Sequence, residues 1–223
     1  MGYKVICTAK EAAELVSNDA SILVGGHGTD GIPENLVKAL LNNDVFNLSL
    51  VTNALTEGTT EVYDATCLLN KGMVRKLVTS MNIPKTSEGQ SIKVNIDVEL
   101  VPEGTLLERI RVGGAGLGGF FIPTGIGSGF ADGKDIRNFD DQECTLETPI
   151  KTDFAFIRAH KADLLGNLVY KGVQRNCNPI MATAAKTTIV EVDEIVDLGE
   201  LDPETIITQG IYIHHIVLRE FTD

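Results

Sequence analysis

The chain has 223 residues, a length that suits one large α/β domain or two small ones, and 43% of them are apolar, enough for a sizeable core. A formal net charge of −12 sets nucleic acid and anionic membranes aside as partners. No apolar run reaches the ~18 residues that would flag a membrane span. Cys7, Cys67, Cys144 and Cys177 are scattered without C-x-x-C spacing and read as free thiols of a cytoplasmic protein, not as a disulfide frame or zinc site.

In chain order, the start MGYKVICTAKEAAELV soon turns amphipathic and carries no signal-peptide cleavage pattern. Lys10–Val16 predicts a helix with Ala12, Ala13, Leu15 and Val16 on one face. SILVGG predicts a buried strand. PENLVKALL predicts a helix with Pro33 at its first position, where a missing N–H costs nothing. Leu48–Thr52, Lys76–Met81 and Val98–Val101 read as further strands, and Thr105–Val112 as a helix. Gly113–Gly129 is too glycine-rich for regular structure. Its Phe120, Phe121 and Ile122 fit a buried, pocket-lining loop better than a solvated linker.

Beyond it, Asp153–Ala159 and Thr187–Val192 read as short strands with a helix, Pro179–Lys186, between them, and Gly210–Leu218 as a late strand. Strands alternating with helices imply an α/β fold, an open, largely parallel sheet with helices on both faces, in a single domain over residues 1–223.

The loop after SILV is the first candidate site. Gly26, Gly28 and Gly31 fit G-x-G-x-x-G between a strand and a helix, where backbone N–H groups suit a phosphate or oxyanion. A dinucleotide reading has two faults. The acid expected to bind ribose at the end of the next strand is replaced by Asn53, and Pro33 starts the helix beyond Gly31. Gly114, Gly116 and Gly119 repeat the pattern, but they follow a helix.

Arg175, Asn176 and Asn178 precede a helix and fit capping and loop hydrogen bonding. His214 and His215 alternate within an apolar strand and read as structural, and Glu88 sits in a polar stretch that reads as solvated loop. No nucleophile–base motif is present. The chain offers binding loops without a catalytic group, which is half of a site.

Taken together, these blocks resemble the alpha subunit of the family I CoA-transferases, the group of the 3-oxoacid, 3-oxoadipate and butyrate–acetoacetate enzymes. ILVGGHGTDGIP is similar to the family's first signature: an apolar triplet, Gly-Gly-Phe, three residues, Gly, any residue, Pro. VELVPEGTLLERIRVGGAGLGGFFIPTGIGS resembles its longest shared block, and the stretches from Asp153 to Pro203 and GIYIHHIV resemble its C-terminal portion.

The resemblance implies a beta-subunit partner, an assembly of two alpha and two beta chains, and an active site between them. The catalytic glutamate belongs to the beta chain's Ser-Glu-Asn-Gly motif, so no catalytic residue is expected here. Coenzyme A enters as a substrate with short-chain acyl groups and carboxylic acids, and no cofactor or metal is held permanently. By the same resemblance, Gly25, Gly26, His27, Gly28, Thr29, Asp30 and Gly31 form the CoA-associated loop. Asn53, Glu103, Gly114, Gly116 and Phe120 line the acyl site.

Two residues depart from the pattern. His27 stands in place of Phe, and Glu103 in place of the Gln of a P-Q-G-T stretch. An ionised Glu only accepts hydrogen bonds, so one expectation is an acyl group carrying a donor or a cation, such as an amino group, in place of a second carboxylate; the other is a Glu103 that is protonated or paired with a beta-subunit cation, with ordinary specificity. The other readings are a CoA-dependent hydrolase on the same scaffold and a nucleotide-binding regulatory module.

Overall fold

The computed structural model describes residues 2–56, 62–82 and 96–220. The TSEGQS stretch with Glu88 lies outside them. The first half of the main sheet is built from β1 (Val5–Ile6), β2 (Ser21–His27), β3 (Leu48–Asn53), β4 (Val74–Thr79) and β5 (Asp97–Leu100). Between them run α1 (Ala9–Ala13), α2 (Glu34–Leu41) and α3 (Ala65–Asn70). α4 (Glu103–Gly114) then leads into a small sheet of β6 (Phe120–Ile122), β7 (Ile136–Phe139) and β8 (Gln142–Glu147). The chain returns to the main sheet with β9 (Thr152–Asp163), β10 (Leu168–Val169), α5 (Asn178–Thr183), β11 (Ala185–Val196) and β12 (His215–Leu218).

The main sheet has the order β1-β12-β11-β9-β2-β3-β4-β5, with β10 paired off this path to β9. Every pairing along the path is parallel, and only β10 is antiparallel. β9 and β11 are the longest strands at 12 residues each, and β2 is held to Ile22↔Phe154 register on one side and Ile22↔Leu50 on the other. Alternation along the strands feeds two cores. Ile22, Val24, Phe156 and Ile189 join residues of α1, α2 and α3 on one face. Leu23, Ile157 and Val190 join residues of α4 and α5 on the other. This is the open α/β architecture expected from the sequence, with helices on both faces.

Several boundaries and two stretches differ from expectation. α1 ends at Ala13, and α2 starts at Glu34 with Pro33 as its N-cap. Lys186 belongs to β11, because pairing with β9 begins at Ala185. Gly210–Tyr212 forms a 3-10 turn, and strand resumes only at His215. Gly113–Gly129 is not an irregular buried loop. Gly113 and Gly114 close α4, residues 115–118 are exposed, and Phe120 opens β6 through its pairing with Glu147.

Candidate functional site

The site is built at the carboxyl ends of β2 and β3, where an open parallel sheet presents its loops. β2 ends in a tight reversal. The His27 N–H donates to the Asp30 carbonyl (3.0 Å) and the Asp30 N–H returns the bond to the His27 carbonyl (3.1 Å). The Gly28 N–H donates to the Asn53 carbonyl at 3.2 Å, so His27 sits beside Asn53 as its register partner. Three loop N–H groups are therefore spent inside the fold. Among the described residues, the N–H groups of Thr29 and Gly31 meet no acceptor. A phosphate cradle needs a ring of free donors, and two are left.

The loop is fastened from below by the RNCNP segment. Asn178 is fully buried. Its Nδ2 donates to the carbonyls of Gly31 and Gln174 (3.0 Å each), and its Oδ1 accepts from the Arg158 N–H at 3.1 Å. Asn176 Nδ2 donates to the Asp30 carbonyl at 2.9 Å. A Cβ on Gly25 would stand 1.8 Å from Asn178 Oδ1, and Gly31 has φ +69 with the Gln174 carbonyl 2.4 Å from where its Cβ would be. Asn176 and Asn178 thus take the hydrogen-bonding role expected from the sequence. Cys177, between them, points its thiol at the Gly26 carbonyl (3.5 Å), and burial pushes it up to about 11, out of reach of thiolate chemistry at neutral pH.

Asn53 ends β3 and is buried. Its Oδ1 accepts from the Ser80 N–H (3.0 Å) and the Thr79 hydroxyl (3.4 Å), which orients the amide. Among the described residues no acceptor meets its Nδ2, so Asn53 has a donor to spend on a ligand. Sequence reasoning does not single out Thr79 and Ser80. The signal for them is their place at the end of β4, one strand over from Asn53.

Across the cleft, Glu103 is the first residue of α4. His27 Nε2 lies 3.3 Å from Glu103 Oε1, with both side chains about half exposed, at 50% and 53%. The two residues that break the family pattern are therefore in contact. Asp30 is exposed on the same loop.

The structure does not bring Gly114 and Gly116 to this place. α4 starts at Glu103 and carries them away along its length, about 18 Å for 12 residues. They line a cavity of about 300 Å³ with Ser21, Asp153, Thr183 and Lys186, at the amino ends of the strands. Phe120 is partly buried in the small sheet, on the same strand pair as Glu147.

Outside this cleft, a charged cluster sits under the start of α2. Glu191 is fully buried on β11, and its Oε2 accepts from the Asn35 (2.8 Å) and Leu36 (3.1 Å) N–H groups. Burial, offset in part by those bonds and by Arg158 and Arg219, raises its carboxyl to about 7. His160 Nδ1 is 3.0 Å from Asp193, and the Thr188 N–H donates to His214 Nδ1 at 3.0 Å, so both rings are tied to neighbouring groups of the fold. Among the described residues no group of three or more His, Cys, Asp or Glu is placed to hold a metal ion, and no helix is long and apolar enough to cross a membrane.

The model of the coenzyme A transferase family matches residues 6–219. The chain belongs to the coenzyme A transferase family. It is 42% identical over 215 residues to one of the subunits of the probable succinyl-CoA:3-ketoacid coenzyme A transferase of Bacillus subtilis, covering 96% of this chain and 90% of that one. It is 42% identical over 217 residues to the alpha subunit of the acetate CoA-transferase of Escherichia coli, covering 96% and 97%.

Among solved structures, an acyl-CoA transferase of Escherichia coli O157:H7, captured as a thioester complex with CoA, superposes with a TM-score of 0.84 at 21% identity. That match covers 98% of this chain and 48% of the other, so the chain spans about half of that solved protein. This chain is accordingly one subunit of a CoA-transferase. Its relatives, named as subunits, imply a partner chain.

Proposed function

We propose that this chain is the non-nucleophilic subunit of a heteromeric CoA-transferase that moves CoA between a short-chain acyl-CoA and a free carboxylic acid. Two copies pair with two beta chains, and CoA comes and goes as substrate. A glutamate carboxylate of the partner attacks the thioester carbonyl and expels CoA thiolate, leaving an acyl–glutamyl anhydride. The thiolate attacks the glutamyl carbonyl, releases the acyl carboxylate and leaves a glutamyl–CoA thioester. The acceptor carboxylate then runs the sequence in reverse.

In this reading the loop Gly25–Gly31, held by Asn176 and Asn178, forms the CoA-side wall. The spare N–H groups of Thr29 and Gly31, the Asn53 amide and the uncapped first-turn N–H groups of α4 are donors available to an anionic oxygen. Preorganised donors of this kind contribute a large share of the stabilisation in acyl transfer. The observation that carries the reading is the half-site itself: unspent donors gathered at the ends of β2 and β3, in a chain whose relatives are subunits.

The test is intact-protein mass spectrometry of the reconstituted complex given acyl-CoA without acceptor. CoA is expected as a covalent adduct on the partner chain and none on this one. An adduct on this chain would refute the assignment. Rapid CoA release without acceptor would favour the hydrolase reading.

A further inference from the structure

We propose that Glu103, paired with His27, makes the acyl pocket reject acyl groups that carry a second carboxylate. The inference rests on the cleft between β2, β3 and α4 being the acyl site. Among the described residues, the elements that border it carry Glu103 on the first turn of α4 and His27 and Asp30 on the loop after β2; His27 and Glu103 are in contact, and Asp30 is exposed beside them in sequence. Glu103 and Asp30 are carboxylates. Among the described residues, no lysine or arginine forms an ion pair with either within 4.0 Å, and the His27 ring at 3.3 Å is the basic group beside Glu103.

A distal substrate carboxylate needs donors. His27 Nε2 faces Glu103, and the His27, Gly28 and Asp30 N–H groups close the loop on itself. What remains is neutral: the Asn53 Nδ2 and the N–H groups of Thr29 and Gly31 on one side, and on the other the uncapped first-turn N–H groups of α4 and the Thr105 hydroxyl, which share their turn with Glu103. A second carboxylate would find neutral donors there, with the His27 ring already set against Glu103, and would stand beside an acceptor-only group of its own sign that no lysine or arginine pairs among the described residues, an arrangement that selects by repulsion. An acyl chain ending in a methyl group meets no such conflict. An amino-substituted acyl group is compatible with Glu103 but not required by it, because His27 already stands beside the carboxylate.

The experiment compares kcat/KM for butyryl-CoA and succinyl-CoA, with acetate as acceptor, in the complex with the partner chain. The native complex is expected to prefer butyryl-CoA by about tenfold or more, and Glu103→Gln to shrink that preference by about tenfold. His27→Phe alone should widen it, since Glu103 then stands unopposed. Glu103 is half exposed, so the Gln variant is expected to fold, and a ratio of two substrates is insensitive to the fraction of folded enzyme. A native complex that uses succinyl-CoA as well as butyryl-CoA overturns the proposal, as does a Glu103→Gln ratio equal to the native one. Asn53→Ala separates the proposal from its premise. If it lowers kcat/KM for both donors, the cleft is the site and only the ratio decides. If it changes neither, the assignment of the site falls, and the proposal with it.

Discussion

Gly25 and Asn178 show how closely single residues are fitted beneath the loop. Asn178 Oδ1 occupies the space a side chain at position 25 would need, 1.8 Å from a Cβ there. Gly25→Ala must displace a buried amide with four hydrogen-bonded partners. The expected cost is about 2–3 kcal/mol of unfolding free energy, read from urea titrations of the chain. A variant as stable as the native chain would mean that the amide has room to move. The contact between His27 and Glu103 is a residue-scale fact of another kind. Each residue is visible in the sequence as a departure from a pattern, but the two lie far apart along the chain. Only the fold, which puts the end of β2 against the first turn of α4, shows that the departures answer one another.

At the scale of elements, legibility follows burial. β2, β3, β9 and β11 are readable because a parallel strand covered on both faces is a nearly continuous apolar run, as in SILV and FAFI. The β7–β8 hairpin also escapes a sequence reading, β7 for the opposite reason. All four residues of β7 are exposed, and the pair is joined through Asp140 and Asp141, both at positive φ, where Asn-Gly would have announced the hairpin. The sequence groups Gly114 and Gly116 with Asn53 and Glu103, and the fold keeps them apart. α4 intervenes and carries them to the far end of the sheet.

α1 owes its start to a reciprocal cap. Glu11 N–H donates to Thr8 Oγ1 at 3.2 Å, and Thr8 N–H donates to Glu11 Oε2 at 2.8 Å. For a helix of five residues, that cap is a large part of its local stability. Thr8→Ala is expected to cost about 1 kcal/mol. A denaturation midpoint unchanged from the native chain would show that packing of Ala12 and Ala13 holds α1 alone.

For the whole molecule, Glu191 couples stability to pH. Arg158 and His160 face its cluster from β9, Asp193 from β11, Arg219 from beyond β12, and Glu34 with the Asn35 and Leu36 N–H groups from α2. Its carboxyl titrates at about 7 in the fold against an ordinary 4.5. Between those values the folded chain keeps a proton that the unfolded chain releases, so this group's contribution to stability falls as pH rises from 4.5 to 7 and is level outside that window. Glu191→Gln keeps an acceptor for α2 and removes the titration. The stability difference between native and variant chains, measured across that window, should therefore slope. A flat difference would place Glu191 at an ordinary carboxylate value.

The position of β9 has a consequence for how the chain is made. Strands β2 to β5 come from the first half of the sequence, yet the strand that closes the other side of β2 arrives only at residues 152–163. Until then a nascent chain carries an unsatisfied parallel edge beside an apolar face, which is a template for misassociation. Its repair requires a long-range closure of the slow kind. Chains halted before residue 152 should be aggregation-prone, so the speed with which the ribosome crosses the β6–β8 segment bears on yield as much as any contact in the finished fold.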